Sequence, residues 1–85
     1  MSVRILYFAW IRERVGRSEE ILELPADAAT IADVIAFLTT RGVEYENAFA
    51  QPQIIRAAIN QTHVKCTASI KDAREIAFFP PVTGG

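Results

Sequence analysis

The sequence predicts an α+β domain in which a mixed five-stranded sheet carries one main helix across one face, and three observations predict it. Its 85 residues suffice for one domain and exclude a second catalytic one. Five segments carry the alternation or the β-branched and aromatic enrichment of strands. A single segment carries a clear apolar stripe at helical spacing, which gives the order β-β-α-β-β-β.

Residues 3–10 are apolar on both alternating faces, with Val3, Ile5, Tyr7 and Ala9 on one and Leu6, Phe8 and Trp10 on the other, as in a central strand. Residues 10–15 have a helix-like charge pattern ended by Gly16, and alternation resumes over residues 19–24. A wide turn is therefore expected to join two antiparallel strands. After the break at Pro25, Thr30 is placed to cap a helix, with Asp33 at the position of a capping-box acid. Ile31, Val34, Ile35 and Leu38 then fall at i, i+3, i+4 and i+7, and Gly42 is expected to close the helix in the left-handed conformation. Residues 43–53 are irregular, with Pro52 as a breaker and Phe49 as an anchor to the core. Residues 54–59 read as a strand, Asn60 and Gln61 as a tight turn, and residues 62–65 as a return strand, because Asn tolerates positive φ. A turn at Asp72 and Ala73 leads into the last strand, Glu75–Phe79. The domain is assigned to residues 1–79, and residues 80–85 to an extended arm.

Charge and composition remove several function classes. Nine Lys plus Arg against ten Asp plus Glu give a net charge of −1 without a basic stripe, so no nucleic acid partner is expected. Cys66 is the lone cysteine, so no internal disulfide is possible, and with one His it makes no zinc site. The longest apolar run, residues 5–11, falls far short of the roughly 20 residues of a membrane helix, and Arg12, Glu13 and Arg14 follow it. These features indicate a cytoplasmic protein with no membrane contact. A domain this small buries only about 60% of its unfolded surface and has little room for an enclosed pocket. Its chemistry is expected at an end or on a partner's surface.

The end is distinctive. Beyond Glu75 no side chain is charged, and Phe78, Phe79, Pro80, Pro81 and Val82 precede Gly84 and Gly85. The prolines lack amide hydrogens, stop the sheet after Phe79 and bias the arm toward the polyproline conformation. At about 3.1 Å per residue, the arm reaches roughly 18 Å, enough to enter a cleft on another protein. Two terminal residues without Cβ atoms can thread a narrow passage and turn a carboxylate toward a bound nucleotide.

The stretch from Glu75 through Phe78-Phe79-Pro80-Pro81-Val82-Thr83-Gly84-Gly85 closely resembles the end of the small, sulfur-carrying subunits of molybdopterin synthases. Tyr7-Phe8-Ala9 with Arg12-Glu13, and Ala58-Ile59-Asn60-Gln61, resemble that family's other signatures. The resemblance implies a ubiquitin-like β-grasp fold and a sulfur carrier in molybdenum cofactor biosynthesis, acting as co-substrate with no active site of its own. It further implies that a separate activating enzyme adenylates the Gly85 carboxylate with ATP and magnesium, and that a sulfur donor protein displaces AMP to leave a thiocarboxylate. No cofactor is expected on this chain. The arm, Pro80, Pro81, Val82, Thr83, Gly84 and Gly85, would insert into the large subunit of the synthase, in a heterotetramer of two small and two large subunits. There it would donate sulfur to cyclic pyranopterin monophosphate. The alternatives are a carrier for thiamine synthesis or another pathway, and a ubiquitin-like interaction module whose diglycine is incidental.

Phe8 and Phe79, with Leu6, Trp10 and Ala77, fall on strand faces opposite those expected to meet the helix, and are either covered by loops or form a patch that a partner buries. The resemblance places Phe8, Phe79 and His63 at the subunit interface, although His63 stands where the family often has an apolar residue. A His at the interface rim would weaken association at mildly acidic pH. Cys66 reads as packing in preference to a sulfur relay, and Arg12, Glu13 and Arg14 as a solvated helical face. Ala73 stands where the family commonly shows Gly after Asp, so either the turn type differs or the loop is strained.

Overall fold

In the computed structural model, which describes residues 2–81, the first strand β1 (Ser2–Tyr7) buries Val3, Ile5 and Tyr7 to 1% exposure or less on one side. It ends sooner than its apolar run, because Ala9 takes φ 53° and turns the chain. The expected wide turn is in fact the seven-residue helix α1 (Ala9–Val15), which buries Ile11 and Val15. Gly16 ends it at φ 87°, its N–H donating to the Arg12 carbonyl at 2.8 Å. β2 (Glu19–Glu23) then returns antiparallel to β1.

The main helix α2 (Ile31–Thr39) begins with the expected capping box. Asp33 N–H donates to Thr30 Oγ1 at 3.3 Å, while Asp33 Oδ2 accepts from the amides of Ala29 at 2.8 Å and Thr30 at 3.1 Å. Those amides hold the Asp33 carboxyl below its usual range. Ile31, Val34, Ile35 and Leu38 form the buried stripe. Gly42 does not close this helix: α2 stops at Thr39, and Gly42 is extended and precedes a further helix, α3 (Val43–Ala48), in the stretch read as irregular. Tyr45, Ala48 and Phe49, spaced i, i+3 and i+4, dock this turn on the core.

A 3₁₀ turn at Pro52–Ile54 leads to β3 (Arg56–Ile59), which pairs with β4 (Thr62–Val64) through Asn60 at φ 49° and Gln61 at φ 72°. Two consecutive positive φ values suit a tight hairpin, as Asn60 foretold. The Asn60 side chain also clasps the loop before β5 (Glu75–Phe79): Oδ1 accepts from the amides of Arg74 at 2.9 Å and Glu75 at 3.0 Å. In that loop Asp72, not Ala73, takes the positive φ of 66°, so the turn type differs from the expected one and Ala73 is packed into the core.

The sheet order is β2-β1-β5-β3-β4, with β1 and β5 parallel and the other pairs antiparallel. With α2 laid across one face, this is a ubiquitin-like β-grasp fold. Aromatic rings build one end of the core, Phe49 standing edge-on to Phe78 at 5.3 Å and to Tyr7 at 6.4 Å. The edge strand β2 is tied to this end by Glu20. Its Oε2 accepts from the hydroxyls of Tyr7 at 2.8 Å and Tyr45 at 2.7 Å, and its Oε1 from Arg17 at 3.0 Å and Arg41 at 3.3 Å. Burial pushes the Glu20 carboxyl up, but these four donors more than offset it and hold it below its usual range. Burial and the neighbouring carboxylate raise the phenols of Tyr7 and Tyr45. Among the described residues, no helix is long and apolar enough to cross a membrane.

Candidate functional site: the open sheet face at the root of the arm

Side chains alternate along a strand, so the residues between the core positions project from the face that α2 leaves uncovered. The strand register places them in rows. Glu19, Leu6, Ala77, Ala58 and His63 face one another across the five strands in turn, and Ile21, Arg4 and Glu75 form a second row. Phe79 lies beyond Ala77 on β5, opposite Arg56.

The centre of this face is apolar. Leu6, Phe8, Ala58, Ala77, Phe79 and Pro80 line an open groove of about 990 Å³ that runs to Pro81. Phe8 is 46% exposed, and Ala58 and Ala77 are buried beneath the larger side chains. The Phe8 N–H donates to the Phe78 carbonyl at 3.1 Å, extending the β1–β5 pairing to the point where the arm leaves the sheet. The His63 ring lies 4.9 Å from that of Phe79. Phe8, Phe79 and His63, named from the sequence as one surface, thus stand together, with Pro80 and Pro81 beside them. Val82, Thr83, Gly84 and Gly85 lie outside the described residues.

The β2 side of the face is closed by charge. Arg4 donates to Glu19 from Nε at 2.9 Å and from Nη2 at 3.1 Å, and reaches Glu75 at 3.8 Å. The hydrogen bonds and charge of this pair raise the Arg4 guanidinium and lower the Glu19 carboxyl from their usual values. An apolar centre with a polar rim is the anatomy of a surface another protein covers.

Trp10 does not join this patch. The early end of β1 carries it onto α1, where it packs partly against the core with the Arg14 guanidinium 4.6 Å above its ring. Cys66 does not pack as expected: it is exposed just after β4, lines a concavity with Arg56, His63 and Lys65, and holds the start of α2 through its carbonyl, which accepts the Ala32 N–H at 2.9 Å. Arg12 and Glu13 are exposed on α1. Arg56 and Lys65, which stand beside Phe79 and His63, escaped the sequence reading. Their signal was the register that the Asn60-Gln61 turn imposes on the hairpin.

Residues 5–85 match the ThiS family. The molybdopterin synthase sulfur carrier subunit of Haemophilus influenzae is 37% identical over 83 residues, covering 98% of this chain and 99% of that protein. Among solved structures, SAMP1 of Haloferax volcanii superposes with a TM-score of 0.72 at 22% identity over the full length of both chains. A chain from the complex of subunits 1 and 2 of the molybdopterin-converting factor of Helicobacter pylori does so with a TM-score of 0.62 at 20% identity, again over both full lengths. At such identities these two structures speak for the fold.

Proposed function

The chain belongs to the ThiS family, and on that premise we propose that it is the sulfur-carrying subunit of a molybdopterin synthase. The observation that carries this reading is the 37% identity to such a subunit over almost the whole of both chains. The open face supports it, because the apolar groove continues into Phe79, Pro80 and Pro81 and so gives a partner something to grip next to the arm.

In this reading the reacting group is the α-carboxyl of Gly85. A separate activating enzyme transfers AMP from ATP to it with magnesium, releasing pyrophosphate. Sulfide supplied by a sulfur donor protein then attacks the carbonyl, the C–O bond to AMP breaks, and a thiocarboxylate remains. The large subunit buries the face around Phe8, Phe79 and His63, and the arm from Pro80 to Gly85 enters its cleft. Sulfur passes there to cyclic pyranopterin monophosphate, which is substrate and not a resident group. The globular body acts by placement, since holding a nucleophile in line replaces a bimolecular encounter. The Pro80–Pro81 backbone restricts the arm before binding and so lowers the ordering cost.

Intact-mass measurement tests the chemistry. After incubation with the activating enzyme, ATP, magnesium and a sulfur donor, the chain gains the difference between sulfur and oxygen, about 16 Da. Deleting Gly85 abolishes the gain and leaves the melting temperature unchanged. No gain in the unaltered chain refutes the carrier reading, and rescue of a thiamine defect instead of molybdoenzyme activity refutes the pathway.

A further inference from the structure

Two cations stand together at the root of the arm, and among the described residues no carboxylate pairs with either. Across the β3–β4 hairpin, Ala58 pairs with His63 and Ala57 with Val64; Lys65 follows directly after the end of β4 and lines the same concavity as Arg56. Arg56 shares a β3 face with Ala58 and lies opposite Phe79 on its other flank. Arg56, His63 and Lys65 are all exposed and together line a concavity of about 610 Å³ whose lining holds no carboxylate. Among the described residues neither Arg56 nor Lys65 has an ion pair, whereas Arg4, two strands away on the same face, has two. Two like charges gathered on one concavity repel, weakly where solvent and salt screen them.

We propose that Arg56 and Lys65, with His63 beside them, form a cationic collar that pairs with carboxylates on the rim of the large-subunit cleft receiving the arm. This rests on the functional reading above and adds the chemistry of the partner's surface. The collar is continuous with the apolar groove, since His63 belongs to both concavities and its ring lies against that of Phe79, tilted by 43°. Exposed cations bordering an apolar centre act at a protein interface as steering and register elements, through the association rate and its salt dependence. Repulsion between Arg56 and Lys65 in the free chain is relieved when acids from the partner enter, so the complex gains on both counts. The opposite rim of the face, where Arg4 is already satisfied by Glu19 and Glu75, has no such unmet charge. The collar therefore makes the face directional.

The test uses the full chain and its large subunit. Association is followed at low and high ionic strength for the unaltered chain, for Arg56→Gln with Lys65→Gln, and for Arg56→Glu with Lys65→Glu. Lys71→Glu, at a turn away from the groove, changes the net charge by as much as the double Gln variant and is its control. At low salt, charge reversal slows association about tenfold or more, the neutral pair falls between, and all converge at high salt as screening removes the effect. The melting temperature of the free double Gln variant stays level or rises and that of the double Glu variant, which restores a like-charge pair, stays level, which separates binding from folding. Wild-type rates and salt dependence in the reversed variant overturn the collar, while loss of binding in Phe79→Ala in the same assay shows that the functional reading stands. Unchanged association together with slower loading by the activating enzyme assigns the cations to nucleotide phosphates and also overturns the proposal. No binding by the unaltered chain overturns the functional reading and the collar with it.

Discussion

Replacing Glu20 by Ala removes the acceptor of four donors at once, and two of these have nowhere else to go. Tyr7 is 1% exposed and Tyr45 3%, so their hydroxyls lose a carboxylate partner with little access to water. An orphaned buried hydroxyl costs about 1–3 kcal/mol, so two set the expected loss at about 2–4 kcal/mol once partial relaxation is allowed. Arg17 and Arg41 return to solvent, so their loss adds little. Against a total stability of about 5–10 kcal/mol for a small domain, this is a large fraction. Urea denaturation reads it: with a slope near 1 kcal/mol per M, the midpoint falls by about 2 M or more. Glu20→Gln keeps a carbonyl for the hydroxyls and loses about half as much. A double-mutant cycle with Tyr7→Phe is sharper still, because removing the hydroxyl after its acceptor has gone relieves the orphan and the two effects are non-additive. A Glu20→Ala variant no less stable than Glu19→Ala, whose ion pair is half exposed, refutes the reasoning.

Two further outcomes follow from the same kind of accounting. The carboxyls of Glu20, Asp33 and Glu19 titrate below their usual range in the folded chain, so their stabilisation is complete above the unfolded value near pH 4 and is lost as pH falls through the folded values; the melting temperature measured by circular dichroism should be level from pH 7 to about 5 and decline below about 4, less steeply in Glu20→Gln, and a rise on acidification would contradict the assignments. Asn60→Gly tolerates φ 49° but frees the amides of Arg74 and Glu75, so it should lower stability by about 1–2 kcal/mol, and Asn60→Ala by more because the strained φ is added; equal losses for the two would show that the backbone conformation contributes nothing.

Where local signals were strong, the chain could be read directly. The Ile31, Val34, Ile35 and Leu38 stripe with Thr30 and Asp33 is a local pattern needing no partner, and α2 stands where it pointed. Phe8 and Phe79 were placed on the open face by period-two alternation, which survives whatever the strands pair with. The misses have the opposite character. Trp10 continued an apolar run that read as strand, and the bend at Ala9 that lifts it onto α1 is set by packing against α3 and β1. α3 has only a turn and a half, too short for periodicity to stand out, and is held by Tyr45 reaching Glu20 some 25 residues back. The parallel pairing of β1 with β5 joins segments almost the whole chain apart and leaves no local mark. Arg56 and Lys65 are well separated along the chain, and only the turn at Asn60 and Gln61 brings them to one concavity.

The position of β5 between β1 and β3 governs how the protein is made. A nascent chain halted anywhere before Glu75 lacks the strand that bridges the two hairpins, so β2-β1 and β3-β4 have nothing to join them. Joining the two hairpins therefore waits until β5 has been made, and the groove beside Phe79 takes shape only in molecules that already carry the root of the arm. A chain cut short of β5 has two hairpins but no groove beside Phe79.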